Sequence, residues 1–487
     1  MSKKLPKSIP LGVALIPIIF LLVGLITLIA VKGSGAVNEW SAPILLSAAA
    51  LSVAISVACY HRPWRAILLG MIKSFRQIIP SFPVLLLIGA VSATWMLSGT
   101  VPMLIEWGLE ILNPTLFLFI TCAVCSIISV LTGSSWTTIA TIGVAFMGIG
   151  TVIGYSPGWI AGAIISGAYF GDKVSPLSDT TVLASSSTGV RLFTHIRYLM
   201  ITSVPAMLIA LTVFLIAGFT ADHVGRTDTL EMENALHATF NLTPWLLIVP
   251  AITITAIAIR FNTCIVLAIS AMTGLAAIFI FQPQVVAAFI DMGHSNFTAA
   301  AHIFLTDTAL ATGHPLLDDL VATGGMKGML PTVELVAAAM VFGGALMGSG
   351  MLTSITSAFT RKLDGPRSVV TATVGSGLFL NSCTADQYLS IIIGGNLYKK
   401  IYNRNRLESK LLSRSLEDSI SVTSVLIPWN SCGVTQSAVL GVATLTYLPY
   451  CIFNFLSPLM SLTMAWTGFR IRRLHLHHAK NKSGLHN

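Results

Sequence analysis

The sequence has few charged residues for its length. Only 10% of its 487 residues are Asp, Glu, Lys or Arg, whereas 54% are hydrophobic. A soluble globular protein carries about 25% charged residues. So few charges cannot cover the surface of a water-soluble particle of this size, and lipid must surround much of the chain.

Several motifs of other protein classes are missing. The phosphate-binding pattern G-x-x-x-x-G-K-[ST] does not occur, which argues against a nucleotide-driven pump. H-E-x-x-H is also missing and the histidines are expected in loops and the tail, so an intramembrane enzyme is not predicted. Cys122 and Cys125 form a C-x-x-C with no second pair nearby, and we interpret them as small helix residues rather than zinc ligands. No cofactor is expected.

The net charge of +9 does not predict a nucleic-acid partner. The basic residues lie in short loops between apolar runs, as in a protein that crosses a lipid bilayer. The first run, 11–31, is too long for a signal peptide and predicts a retained first transmembrane helix. The runs together predict an all-α polytopic membrane protein with about 10–12 transmembrane segments. Many glycines and prolines interrupt them, which predicts broken helices, re-entrant hairpins or both.

The chain divides into two halves that resemble each other. Pro80 aligns with Pro331, and D-x-x-S-x-x-S begins at Asp172 and again at Asp418, with nearly equal offsets. The predicted organisation is a first repeat with N-terminal helices (1–220), a polar connecting loop (221–241), a second repeat (242–469) and a basic, His-rich cytoplasmic tail (470–487).

The loop charges predict that the two repeats are inserted in opposite orientations. Segment 60–78 is basic, whereas its counterpart 311–329 contains Asp318 and Asp319. Segment 100–113 contains only acidic charges, whereas its counterpart contains Arg361 and Lys362. Because basic loops stay cytoplasmic, the halves must be inverted relative to each other. Inverted repeats of this kind recur in secondary transporters.

Two polar clusters interrupt the apolar segments. The first joins 132–138 with 171–181, and the second joins 381–387 with 416–424 and 428–433. Their carboxylates, hydroxyls and amides are ligands suited to a small hard cation such as sodium. Gly133, Gly171 and Pro176 can break helices and free backbone carbonyls. The predicted polar ligands are Ser134, Ser135, Thr137, Ser175, Ser178, Asn381, Thr384, Ser421, Ser424 and Asn430. Hydrogen bonds across helices are the alternative role for such residues.

Acidic residues of these clusters are the candidates for cation and proton binding. Asp172 and Asp418 are the main candidates, including as direct metal ligands, and Asp179, Asp386 and Glu417 are the others. Burial disfavours a charged carboxylate, so such a group can hold a proton until sodium displaces it. Pairing with Lys173 or Arg414, or a helix-capping role, is the alternative.

Four motifs resemble those of the NhaC-type sodium/proton antiporters. They are Gly-Ser-Ser-Trp (133–136), the block Ser-Gly-Ala-Tyr-Phe-Gly-Asp-Lys-Val-Ser-Pro-Leu-Ser-Asp-Thr-Thr (166–181), Ala-Asp-Gln-Tyr-Leu-Ser (385–390) and Leu-Ile-Pro-Trp-Asn-Ser-Cys-Gly (426–433). The resemblance implies exchange of Na⁺, and of Li⁺, for H⁺ in a bacterial inner membrane, with cytoplasmic termini and a homodimer. Similar transporters exchange malate and lactate, so an ion-coupled organic-anion exchanger is the alternative.

Overall fold

The computed structural model describes residues 9–32, 37–220, 234–291, 295–310, 312, 317–318, 321–361 and 363–471. Residues 221–233 of the predicted connecting loop and residues 472–487 of the predicted tail lie outside the described residues. The described chain is nearly all helical, and its extended structure amounts to one isolated bridge between Thr308 and Thr323. The predicted all-α class is therefore confirmed.

Ten helices make up the first half of the described chain. They are α1 (Leu11–Lys32), α2 (Val37–Ala58), α3 (Trp64–Ile78), α4 (Ser81–Leu97), α5 (Thr100–Ile111), α6 (Phe117–Thr132), α7 (Ser135–Ile153), α8 (Pro157–Val174), α9 (Asp179–Thr188) and α10 (Leu192–Thr220). Within α7, one turn is a π-helix (Ile139–Gly143).

The second half begins with α11 (Pro244–Ala258), after a short helix at 234–239. The helices that follow are α12 (Thr263–Phe281), α13 (Pro283–Asp291), α14 (Asn296–Leu305), α15 (Leu330–Ser349), α16 (Met351–Phe359), α17 (Gly365–Thr384), α18 (Gln387–Arg404), α19 (Ser409–Leu416), α20 (Ser431–Leu440), α21 (Thr444–Tyr450) and α22 (Ile452–Thr467). A π-helical turn (Glu417–Ser421) continues α19.

Eight spans of the described chain are long and apolar enough to cross a membrane, and α21 with α22 forms a ninth if this pair, bent by 57°, is counted. Helices α8, α17 and α18 have 18 to 20 residues but a more polar composition. At 1.5 Å per residue they measure about 27–30 Å, close to the thickness of the hydrocarbon core. The chain is therefore a multi-pass membrane protein with broken helices.

Each half contains a helical hairpin with a left-handed residue at its tip. In the first, the start of α6 meets the residues just after α7, where the rings of Phe117 and Tyr155 stack at 5.6 Å. In the second, the hydroxyl of Tyr398 on α18 donates to the carbonyl oxygen of Ala372 on α17 at 2.8 Å. The tips are Gly133 (φ 68°) and Ala385 (φ 56°).

Both halves also pack the first arm of the hairpin against a helix that runs parallel to it. Gly167 and Gly171 of α8 lie against Cys122 and Ser126 of α6, one turn apart on each helix. A Cβ at either glycine would clash with the α6 backbone, so the close approach requires glycine. In the second half, Asn381 of α17 donates to the carbonyl oxygen of Ile420 at 2.7 Å. The two halves thus share the order of hairpin and parallel helix, and the repeat and its inverted insertion stay predictions.

Candidate functional site

An open cleft of about 520 Å³ lies where the breaks of the two halves meet. The tip of the first hairpin and the segment between α8 and α9 form one wall, and the start of α18 reaches the same space. The start of α4 and the turn between α11 and α12 complete the lining. The polar residues nearest the breaks are Thr132, Ser134, Thr137, Asp172, Asp179, Thr180 and Gln387.

A smaller gap, which has no room for a water molecule, lies deeper in the protein, and we call it the inner cavity. Its lining comprises Tyr169, Asp172, Lys173, Thr180, Gln387, Glu417, Ser421 and Val422. Asp172, Thr180 and Gln387 line both the open cleft and this inner cavity, so they form the boundary between the two spaces.

Asp172 lies near the end of α8 and faces the start of α7. Its Oδ2 accepts hydrogen bonds from the Ser135 hydroxyl at 2.7 Å and from the Ser135 backbone N–H at 3.2 Å. Ser135 begins α7, directly after the hairpin tip. The free N–H groups and positive dipole at a helix start stabilise negative charge there. The broken helix therefore supports an ionised carboxylate at the boundary of the two cavities.

Glu417 is fully buried in the π-helical turn after α19. Neither of its carboxylate oxygens has a hydrogen-bond partner among the described residues. The Ser421 hydroxyl, one turn further on, is buried and likewise lacks a described partner. Buried polar atoms are normally paired, and π-turns are frequent at functional sites. The Glu417 side chain thus lines the inner cavity together with the hydroxyl residues Thr180 and Ser421.

Asp418 makes a buried ion pair with Lys173, the alternative that the sequence left open. Lys173 Nζ donates to Asp418 Oδ1 and, at 2.6 Å, to the Ser457 hydroxyl. The hydroxyls of Ser457 and Thr202 each donate to the same Asp418 oxygen at 3.1 Å. Arg414 Nε lies 3.8 Å from the other oxygen. An internal ammonium thus occupies the place at Asp418 where a transported cation would bind.

Asp179 and Asp386 occupy helix starts. Asp179 is exposed in the first turn of α9 and lines the open cleft. Asp386 is buried and caps α18, since its Oδ1 accepts a hydrogen bond from the Leu389 N–H at 2.8 Å. Its Oδ2 accepts from the Ser431 hydroxyl at 3.3 Å. Asp386 therefore matches the helix-capping alternative.

The predicted hydroxyl and amide ligands divide into two groups. Ser134 and Thr137 line the open cleft, Ser135 binds Asp172, and Ser421 lines the inner cavity. The others hold the broken backbone through hydrogen bonds to main-chain atoms or act as helix caps; they are Ser175, Ser178, Asn381, Thr384, Ser424 and Asn430.

The prediction from the sequence missed several residues of the site. Thr180 lies in the motif 166–181 and Gln387 in the motif 385–390, each next to predicted ligands. Their side-chain oxygens are possible cation ligands and could have identified them. Ser457 had no signal beyond a hydroxyl in an apolar run. The expectation that the histidines lie in loops and the tail is wrong for His195, which is buried on α10 with Nδ1 2.8 Å from the Ser413 hydroxyl. Tertiary packing, which composition does not reveal, placed it there.

The sequence matches the model of the Na⁺/H⁺ antiporter family over residues 7–186 and 167–469. It is 37% identical to the Na⁺/H⁺ antiporter NhaC of Alkalihalophilus pseudofirmus, over 84% of this chain and 86% of that protein. It is 34% identical to the malate-2H⁺/Na⁺-lactate antiporter of Bacillus subtilis, over 79% of this chain and 80% of that protein. It is 32% identical to the arginine/ornithine antiporter ArcD of Halobacterium salinarum, over 94% of this chain and 92% of that protein.

These matches cover most of the chain and agree with the motifs at the hairpin tips and the α8–α9 break. They confirm the predicted resemblance to NhaC-type antiporters and the prediction that the protein is a transporter rather than an enzyme. The chain belongs to the Na⁺/H⁺ antiporter family.

Proposed function

We propose that the protein exchanges Na⁺, and Li⁺, for H⁺ by alternating access, with Asp172 as the carboxylate that binds the cation. The observation that carries this proposal is the position of Asp172, which lines both the open cleft and the inner cavity. Ser134, Thr137 and Gln387, which carry side-chain oxygens, line the same cleft. A cation that enters the cleft therefore meets a carboxylate and neutral oxygen ligands, the donor set that sodium prefers.

The exchange requires that cation and proton are not both bound at once. An unbalanced charge is costly in a buried site. Binding of Na⁺ therefore favours release of a proton, and binding of a proton favours release of Na⁺. The proton gradient supplies the energy. Two inversely inserted halves would let the same site open to either side in turn. We place the protein in a bacterial inner membrane, with both termini cytoplasmic, as a homodimer.

The proposal is tested with purified protein in liposomes that have an acidic lumen. External Na⁺ and Li⁺ should make the lumen more alkaline, and K⁺ should not. Asp172→Asn should abolish this response without reducing insertion, because the amide cannot balance the charge of the cation. Asp307→Asn, at a position 73% exposed outside the site, is the control and should keep wild-type activity. Wild-type Na⁺-dependent exchange in the Asp172→Asn variant would refute the role of Asp172.

A second candidate is an organic-anion exchanger, since the cleft volume lies in the range of small-molecule sites. The exposed Arg260 lines the cleft and could attract a carboxylate. Lys173, the basic residue that such a mechanism would need deeper in the protein, is instead bound to Asp418 and does not line the cleft. Addition of malate to the same liposomes separates the two functions. An alkaline response to malate but not to Na⁺ would replace the first proposal by the second.

A further inference from the structure

Two carboxylates face the inner cavity in very different environments. Asp172 receives two hydrogen bonds from Ser135 at the start of α7 and also borders the open cleft. Glu417 has no described hydrogen-bond partner, is fully buried and does not line the cleft. A buried ionised carboxylate without a donor is costly, whereas one held by N–H and O–H donors is stabilised. The two groups are therefore suited to different ligands.

The charges around the inner cavity balance in one particular state. Lys173 and Arg414 carry two positive charges, and both side chains are buried. Ionised Asp172 and Asp418 carry two negative charges. The cluster is therefore neutral when Glu417 is protonated. A sodium ion at Asp172 adds one positive charge, and loss of the Glu417 proton restores neutrality.

We propose that cation and proton occupy separate carboxylates: Na⁺ binds at Asp172, and the exchanged proton is carried by Glu417. This inference rests on the proposed function and specifies how its two substrates are coupled. When Na⁺ binds, the O–H bond of Glu417 breaks and the proton passes to water in the space that is open at that moment. When Glu417 regains a proton, the cluster becomes positive and Na⁺ leaves Asp172.

The surroundings of Glu417 support an electrostatic coupling of this kind. The packed elements present a small set of charged or titratable groups, of which Lys173 and Asp418 are already paired with each other. Those groups are Tyr169, Asp172, Lys173, Asp179, His195, Tyr198, Tyr402, Arg414 and Asp418. Asp179 is exposed to the cleft and therefore screened, so Asp172 is the acidic group of the inner cavity whose occupancy changes with Na⁺.

The test measures two reactions of the same liposomes. The first is exchange of radioactive Na⁺ for unlabelled Na⁺ at equal pH on both sides, which needs no proton movement. The second is Na⁺ uptake driven by an acidic lumen. In the wild type we expect both reactions. The apparent affinity for Na⁺ should increase by up to about tenfold for each unit by which the pH is raised, because release of one proton is linked to Na⁺ binding.

Glu417→Gln should mimic a permanently protonated Glu417. We expect Na⁺/Na⁺ exchange to persist at saturating Na⁺, with an apparent KM about tenfold higher than that of the wild type at high pH and independent of pH. Proton-driven uptake should fall at least tenfold. Asp172→Asn should lose both reactions. Glu417→Asp, which keeps the carboxyl group, should recover proton-driven uptake and the pH dependence of KM.

Each other outcome has a defined meaning. Glu417→Gln with wild-type proton-driven uptake overturns the inference, because the proton would then lie elsewhere. Loss of Na⁺/Na⁺ exchange in a Glu417→Gln protein that still elutes as a single species in detergent overturns it too, since Glu417 would then be needed for Na⁺ binding itself. A wild-type protein with neither reaction refutes the proposed function and not merely this coupling.

Discussion

Lys173 on α8 and Asp418 after α19 form a buried ion pair that joins the two halves of the protein. The pair stands within equivalent D-x-x-S-x-x-S segments, yet the two segments contribute opposite charges. Ser457 and Thr202 complete the hydrogen bonds to Asp418 from two further helices. One charge pair therefore fixes the relative position of both halves beside the inner cavity.

Removal of one partner of this pair should destabilise the protein strongly. Lys173→Met leaves the Asp418 charge buried without its main partner, which typically costs about 3–5 kcal/mol. We expect a clearly lower midpoint of thermal unfolding in detergent. Lys399→Met, at an exposed position, is the control and should unfold like the wild type. The double variant Lys173→Met with Asp418→Asn removes the unpaired charge and keeps an acceptor for Ser457 and Thr202, so it should recover part of the loss. A single variant as stable as the wild type would contradict the pairing.

The hydroxyl of Ser135 should set the affinity for sodium. It donates to Asp172 at 2.7 Å, and a hydrogen bond to a charged group contributes about 1.5–3 kcal/mol. Ser135→Ala weakens the support for ionised Asp172, so Asp172 binds Na⁺ less tightly. We expect an apparent KM for Na⁺ at least about tenfold higher at fixed pH. Ser186→Ala is the matched control, because that exposed hydroxyl bonds within its own helix. An unchanged KM in Ser135→Ala would exclude this role.

The membrane class and the helix breaks could be predicted from the sequence because both depend on local composition. Apolar runs predict spanning helices, and Gly133 predicts a break because glycine tolerates the left-handed conformation. Ala385 adopts the same conformation at the second tip, yet alanine gives no such signal. Only the surrounding packing determines that break.

The roles of the individual carboxylates could not be predicted, because matching motifs fold into different surroundings. The repeat places Gly171 where the second half has Glu417, and Lys173 where it has Ser419. Gly171 must be small because α6 packs against it, whereas the π-turn after α19 accommodates an acidic side chain. The asymmetry that gives the site one free carboxylate and one paired carboxylate therefore arises from long-range packing.

The two hairpin tips should respond in opposite ways to exchange of glycine and alanine. Gly133→Ala forces an alanine into a left-handed conformation, which costs about 1–2 kcal/mol. Its new Cβ would also lie 2.5 Å from the Cβ of Leu177. Ala385→Gly relieves the same conformational cost and should raise the free energy of unfolding by up to about 1 kcal/mol. Thermal unfolding in detergent measures both changes, and a Gly133→Ala protein at least as stable as the wild type would contradict the tip geometry.

The inverted insertion of the halves can be tested by labelling single cysteines from each side of the membrane. Arg65 and Lys327 lie in corresponding segments and are both exposed, so Arg65→Cys and Lys327→Cys should be accessible to reagent. Cys59, the one exposed native cysteine, is replaced by serine in the background. A membrane-impermeant maleimide should label Arg65→Cys only in inside-out vesicles and Lys327→Cys only in right-side-out vesicles, because basic loops stay cytoplasmic.

Lys400→Cys provides the control for this topology experiment. It lies near the end of α18, at the start of a basic segment, and is exposed, so it should be labelled from the same side as Arg65→Cys. Each variant must still exchange Na⁺ for H⁺ in liposomes, which ensures that the labelled protein is folded. If Arg65→Cys and Lys327→Cys are labelled from the same side, the halves are inserted in the same direction. The proposal that two inverted halves open one site alternately to the two sides of the membrane would then be wrong.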